Sequence, residues 1–533
     1  MTYPANQNKI PIRQLHAILA MRRFYIYYYL LILNHYLNKR IVKTTDASGN
    51  ITSYTYDGLG RLFSETGQMG GRISYGYDAK GNVITASNQH ITYYLTYDAN
   101  GRILTVTDSN GSVINYRLDG LGNKTGAVYP DGSTINYYYD NANRLKEIFN
   151  NGGTYSYQYD GVGRRTKLTM PNGAYANYSY DSSGRLTSLT HKTSSGAVID
   201  SFDYTHDKVG NRLTKTEPEV KQTYSYDSIY RLLQAVPTKL NGNEQETKAE
   251  AFNYDPVGNR LTGPETKDTY LYNLGNQLTT DKKAGYEYDK NGNLIKKTET
   301  DDGETKTWTY SYDFENRLVK VVKQETNETK TVSFKYDPFG RRIEKKAEEV
   351  EDGKTEIKTY TYVYDNEDII LEYLTKTEDG ATKTKTTRYV HGPGIDEPLA
   401  IERKGEMYYY HADGLGSIVA LTDAKQRVAE IYTYSSFGVL KRHGDKVKNT
   451  FTYTGREWDK ETGLYYYRAR YYDAKIGRFI SKDPIGFRGG DVNLYSYVGN
   501  GPTNRKDPFG LLDNVARCTT QFNADVASCI QKE

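Results

Sequence analysis

Four copies of the tetrapeptide Asp-Pro-x-Gly are the sequence's most conspicuous carboxylate motif, beginning at Asp255, Asp337, Asp483 and Asp507. Taken alone, the tetrapeptide predicts a turn, because proline presets φ at the second position and aspartate at the first can accept from backbone N–H groups. Two such carboxylates brought together could do more. They cannot both ionise easily, so one would hold a proton to donate while the other activates water. The rest of the reactive inventory is thin. Eight histidines are scattered along the chain, and His391 and His411 read as structural residues. Gly414 and Gly416 in ADGLGS read as a turn, with no following helix to make a phosphate site. There is no HExxH, CxxC, P-loop, GxGxxG or GxSxG. Both cysteines, Cys518 and Cys529, lie near the C-terminal end, so the body is not a disulfide scaffold.

The elements that must position these groups announce themselves through composition and repetition. Tyr supplies 54 residues against 14 Phe and 2 Trp, and Gly supplies 48. Such a chain favours strands and turns over helices. The low mean hydropathy of -0.77 is offset by tyrosine, whose ring buries apolar surface while its hydroxyl stays wet. A Tyr-x-Tyr-Asp signature with Gly three positions after the Asp recurs, as at Tyr54–Gly60, Tyr75–Gly81 and Tyr178–Gly184. The signature aspartates fall at 57, 78, 98, 119, 140, 160 and 181, a spacing of 20 or 21 residues. Later copies at Asp207, Asp227, Asp255, Asp289, Asp313, Asp337 and Asp365 spread apart, as loops on one face take insertions.

Each unit reads as a β-hairpin. Alternate tyrosines share one strand face, aspartate opens the turn and glycine takes its left-handed position. Tyrosines of neighbouring hairpins then stack. The expected fold is all-β: one long, coiling antiparallel sheet, with the signature residues holding it together. With 70 basic and 66 acidic residues evenly spread, no basic face for nucleic acid is indicated. Exposed tyrosines leave a glycan as an alternative ligand.

The two ends differ from this pattern. Phe24–Leu33 is a run of ten apolar or aromatic residues between Arg22-Arg23 and Lys39-Arg40. It falls short of the roughly 20 residues that span a bilayer and lacks a small-residue cleavage site. Segment 1–45 is therefore read as an atypical leader or as a membrane-associating stretch. At the other end, Val515, Cys518, Phe522, Val526, Cys529 and Ile530 have helical spacing, so residues 512–533 are expected to form a short amphipathic helix. On one such helix the cysteines would lie about 16 Å apart, too far for a disulfide.

From about Arg388 the sequence reads RYVHGPGIDEPLA, YYYHADGLGSIVALTD, YTGREWDKETGLYYYRARYYDAKIGRFISKDPIGF and NLYSYVGNGPTNRKDPFGL. These ordered motifs closely resemble the RHS-repeat-associated core domain, and the preceding units resemble the YD repeats of the same family. That family includes the C components of insecticidal toxin complexes, polymorphic RHS toxins and teneurins. The resemblance implies a repeat shell over 46–387, a core domain over 388–511 that plugs it, and a variable tail over 512–533. It further implies aspartic-protease-like self-cleavage between Leu511 and Leu512, carried out by Arg470, Asp483 and Asp507, with no cofactor. Arg470 would orient a carboxylate or stabilise the developing oxyanion; Arg478 is the rival arginine, read as a structural partner. Gly501 departs from the family's usual Asn before Pro502, and the repeat tract is short, so an incomplete cage is expected.

The chain therefore reads as a toxin-delivery shell fragment, secreted or cell-envelope associated. Its partners would be its own C-terminal cargo segment and a secretion-apparatus or shell-completing chain. The alternatives are a non-enzymatic adhesion protein that binds glycans or cells, and an inactive remnant.

Overall fold

The computed structural model describes residues 35–511 except 38–39, 241–247, 265–269, 302, 379–380, 443 and 445. The segment up to residue 34, the expected tail helix and Leu512 lie outside the described residues.

The repeat unit is a hairpin held by its aspartate. Between strands Ile51–Tyr56 and Leu62–Gly67, Asp57 donates its N–H to the Arg61 carbonyl and its own carbonyl accepts the Gly60 N–H, each at 2.9 Å. Its Oδ1 takes the N–H groups of Leu59 (3.0 Å) and Arg61 (2.8 Å), and its Oδ2 takes Arg61 Nε at 2.6 Å. Gly60, at φ 78°, occupies the left-handed position that a side chain would strain. The arginine also links one repeat to the next. Arg61 Nη1 donates to the Asp78 carbonyl at 2.9 Å and its guanidinium stacks 4.5 Å from the centre of the Tyr77 ring. The Tyr77 hydroxyl in turn donates back to the Leu62 carbonyl at 2.8 Å. The same links join Asp160, Arg164, Tyr180 and Asp181.

Consecutive hairpins pair antiparallel to build a 21-stranded sheet from His35–Leu37 to Glu250–Ala251. A short pair, Asn253–Tyr254 with Arg260–Thr262, comes next. A 15-stranded sheet then runs from Leu271–Tyr272 to Val428–Ile431, passing Arg388 without a break.

The second sheet retraces the first. Ser48 N–H donates to Asn291 Oδ1, 243 residues further on. The Tyr75 hydroxyl donates to the Pro338 carbonyl across 263 residues, and Asn172 Nδ2 to the Asp423 carbonyl across 251. Because this separation stays nearly constant while both partners advance, the ribbon coils and lays its second turn against its first. The seam is partly apolar, with the Tyr93 and Phe339 rings 5.7 Å apart. It is also partly ionic: Lys124 of the first sheet meets Asp365 of the second at 2.5 Å, and the Tyr116 and Tyr129 hydroxyls donate to the same carboxylate. Burying a charge requires such partners.

The chain then closes on itself. Strands Glu457–Asp459, Leu464–Tyr467, Arg470–Asp473 and Arg478–Phe479 form a four-stranded sheet around Tyr465, Tyr467, Tyr472, Phe479 and Tyr497. Arg342 of the repeat sheet, fully buried, reaches Glu457 at 2.7 Å and also pairs with Asp459. The Tyr495 hydroxyl donates to the Gly292 carbonyl, and Asn500 Nδ2 to the Gly258 carbonyl, each at 2.8 Å. Arg212 N–H of the first sheet donates to Asn504 Oδ1 at 2.8 Å, so the end of the chain is docked against both large sheets and the short pair between them. Among the described residues, no helix is long and apolar enough to cross a membrane.

Candidate functional site

The tight hairpin that joins Leu464–Tyr467 to Arg470–Asp473 delivers Arg470 into the closed end of the chain. Its guanidinium is buried and lies 3.6 Å over the Phe479 ring. Each nitrogen is used. Nη2 donates to Asp483 Oδ2 at 3.1 Å and lies 3.6 Å from Asp507 Oδ2. Nη1 donates to the Leu494 carbonyl at 2.9 Å, and Nε to the Gly510 carbonyl at 2.5 Å. One cation therefore gathers two carboxylates and a backbone carbonyl next to Leu511. Four of the five residues expected at the site come together, and the fifth, Leu512, lies outside the described residues.

The two aspartates are held differently. Asp483 opens a turn, with its N–H donated to the Leu494 carbonyl at 2.8 Å and its Oδ1 accepting from Ile485 at 2.9 Å. Asp507 Oδ1 accepts the Leu511 N–H at 2.9 Å, while its buried Oδ2 has no hydrogen-bond partner. Burial pushes the Asp507 carboxyl up to about 6; Arg470 and the Leu511 N–H pull it down, and the neighbouring Asp483 charge raises it. Near neutrality this carboxyl is poised to exchange a proton.

Local sequence explains why these two turns differ from their look-alikes. In the repeats, the fourth residue after the Asp-Pro aspartate takes up Oδ2: Asn259 Nδ2 binds Asp255 at 2.9 Å and Arg341 Nε binds Asp337 at 2.7 Å. After Asp483 and Asp507 that place falls to Phe487 and Leu511, which have no side-chain donor. Their outer oxygens are left to Arg470. Sequence reasoning missed this mark although it was legible. It also missed Phe479 and the backbone carbonyls of Leu494 and Gly510. Arg478 sits elsewhere, donating to the Asn276 carbonyl with its guanidinium 4.9 Å from the Tyr272 and Tyr495 rings. His411 and His391 lie in the repeat sheet, where His411 meets His191 and His391 meets the Ile369 carbonyl.

Residues 201–503 match the family model described as Teneurin YD-shell, and 37–68, 97–134 and 139–175 match RHS Repeat. The chain is 30% identical over 289 residues to tRNA nuclease WapA of Bacillus subtilis, covering 51% of this chain and 11% of that protein. It is 28% identical over 340 residues to Double-stranded DNA deaminase toxin A of Burkholderia cenocepacia, covering 60% of this chain and 23% of the relative. The chain thus spans between about a tenth and a quarter of these relatives' lengths. Among solved structures, the TcdB2-TccC3-Cdc42 crystal structure superimposes with a TM-score of 0.74 at 20% identity, over 89% of this chain and 27% of that one. The Photorhabdus luminescens Tc holotoxin pore gives 0.73, again at 20% identity, over 89% and 26%. These likenesses are to the fold.

Proposed function

The chain belongs to the RHS-repeat, teneurin YD-shell family, and from that premise we propose that it is part of a toxin-delivery shell that cuts its own backbone after Leu511 and frees the segment beyond the cut. The observation that carries this reading is the convergence of Asp483, Asp507 and the Gly510 carbonyl on Arg470, with the Leu511 N–H held by Asp507.

In this reading Asp507 carries the proton, since its carboxyl is raised and its Oδ2 is uncommitted. Asp483, closer to Arg470, stays ionised. Asp483 takes a proton from water as the oxygen adds to the Leu511 carbonyl, and Asp507 gives its proton to that carbonyl oxygen. The tetrahedral adduct then collapses. The C–N bond to Leu512 breaks, the proton from Asp483 goes to the departing amine, and Asp507 recovers its proton from the hydroxyl. A Leu511 carboxyl and a Leu512 amine result.

Residues 46–387 act as shell, 388–511 as plug and 512–533 as the released segment, in a secreted or cell-envelope-associated protein. The nuclease and deaminase activities named in the relatives stay with those proteins. A shell-completing partner is supported by the rim of the first sheet. Leu59, Leu121, Val162, Val209 and Ile229, each two residues after a signature aspartate, are 61 to 78% exposed, whereas Phe339 at the equivalent place is 7% exposed beneath the coil seam.

Intact mass of the expressed chain tests the cleavage: a species ending at Leu511 is expected, and Asp483→Asn and Asp507→Asn should each abolish it. An uncut wild-type chain would refute the reading.

A further inference from the structure

Three successive residues of the 467–470 hairpin hold three successive carbonyls of the segment leading to Leu511. Arg468 Nη1 donates to the Pro508 carbonyl, Ala469 N–H to the Phe509 carbonyl at 3.1 Å, and Arg470 Nε to the Gly510 carbonyl at 2.5 Å. Each step along the hairpin matches one step along the segment, so the pairing fixes register. Gly510 seals it, since a Cβ there would stand 2.4 Å from the Tyr467 carbonyl.

Arg468 is the unexpected member. It has φ 59°, a left-handed conformation that strains a non-glycine residue. Its side chain is nonetheless fully engaged. Besides the Pro508 carbonyl, Nη2 reaches Asp396 Oδ1 at 2.8 Å and Nε reaches Glu367 Oε2 at 3.1 Å. Both carboxylates come from turns of the repeat sheet, and Arg456 anchors Asp396 from the other side at 2.6 Å. The Phe509 ring lies 5.4 Å from the Arg468 guanidinium.

We propose that Arg468 is a positioning residue: it braces the segment before the cut against the repeat sheet and so determines which peptide bond is presented to Asp483 and Asp507. This rests on the self-cleavage reading. It also makes cleavage conditional on the plug being docked, because Glu367, one of the brace's two anchors, belongs to the shell.

The full chain carrying Arg468→Gly tests it. Glycine suits φ 59°, so the backbone is relieved while the brace is lost. Folding, monitored by circular dichroism and urea unfolding, should survive. Cleavage should slow by about ten- to a hundredfold, the scale of a misplaced reacting group, and intact mass should show termini on either side of Leu511. Arg468→Lys, which keeps the charge and one donor, should recover part of the rate at the correct bond. Glu367→Gln, remote from the carbonyls, should slow the cut in the same direction and gives a reading even if the glycine variant misfolds. A purely structural Arg468 predicts no shift of cut position. Wild-type rate and a single cut after Leu511 in both Arg468→Gly and Glu367→Gln would overturn the proposal. Asp507→Asn separates the two claims: if it still cleaves, the assignment of the chemistry to Asp507 fails; if it does not while the brace variants cut normally, only the brace fails.

Discussion

The rate of self-cleavage should fall as pH rises through about 6. Asp507 must hold a proton for the chemistry proposed, and burial lifts its carboxyl to about 6. The protonated fraction is then about one half at pH 6 and about one hundredth at pH 8, so the first-order rate should drop about fiftyfold over that interval. Unfolded, the same carboxyl loses its proton near 3.8, so between pH 3.8 and 6 the folded chain binds more protons than the unfolded one. Stability from this group is therefore highest below 3.8, and about 3 kcal/mol is lost once pH exceeds 6. That cost marks a carboxyl kept for its proton. The assay is refolding of urea-unfolded chain into buffers from pH 5.5 to 8, with timed quenching and intact mass. A rate that is flat or that increases with pH would refute the assignment of the proton to Asp507.

Removing the buried His191–His411 pair should flatten the acid dependence of stability. His191 Nε2 faces the Ala412 carbonyl and so carries the hydrogen, His411 Nδ1 must then donate to His191 Nδ1 at 3.2 Å, and Thr422 donates to His411 Nε2 at 2.9 Å. No site remains for another proton. Burial depresses His191 to about 4, against the pull of Asp413, and holds His411 well below its usual range, so their stabilisation is complete above pH 6.5 and is lost as pH falls. Between pH 6.5 and 5 His191 should cost about 1.5 kcal/mol, with His411 acting in the same direction, and urea midpoints of His191→Phe/His411→Leu against wild type across pH 5 to 7 read it. A separate outcome concerns Phe487, which is 72% exposed. Phe487→Arg should give Asp483 the same intra-turn partner that Arg341 gives Asp337, draw its Oδ2 from Arg470, and suppress cleavage, with folding checked by urea unfolding; undiminished cleavage would sink the idea that an outer oxygen without a partner inside its own turn defines the site.

How much of this was legible in the sequence depends on how far apart the partners lie. The hairpin could be read residue by residue: Asp57 accepts the N–H groups of its turn and Gly60 takes positive φ as its spacing implies. The reach of arginines such as Arg61 from their own turn to the next repeat was not legible, because a guanidinium's several donors do not show in spacing. The coil seam was harder still. Ser48 and Asn291, or Asn172 and Asp423, are ordinary turn residues whose pairing is set by how much the sheet bends over many strands, a sum of small twists that no local motif encodes.

The site divides along the same line. Ordered motifs singled out Arg470, Asp483 and Asp507, but the Asp-Pro-x-Gly pattern could not separate the last two from Asp255 and Asp337, and the residue that does so stands one place beyond it. A turn aspartate has two oxygens. In these turns the inner one is spent on the backbone, so the identity of the fourth following residue decides whether the outer one finds a donor within the turn or must find one elsewhere. Asn259 and Arg341 supply that donor; Phe487 and Leu511 do not. Arg470 Nη2 can therefore approach both outer oxygens, at 3.1 Å from Asp483 and 3.6 Å from Asp507, and the turn that stabilises a repeat becomes, by one missing donor, a candidate for chemistry. The carbonyls of Leu494, Pro508, Phe509 and Gly510 complete the arrangement, and since every residue has a carbonyl, only the folded register could reveal them.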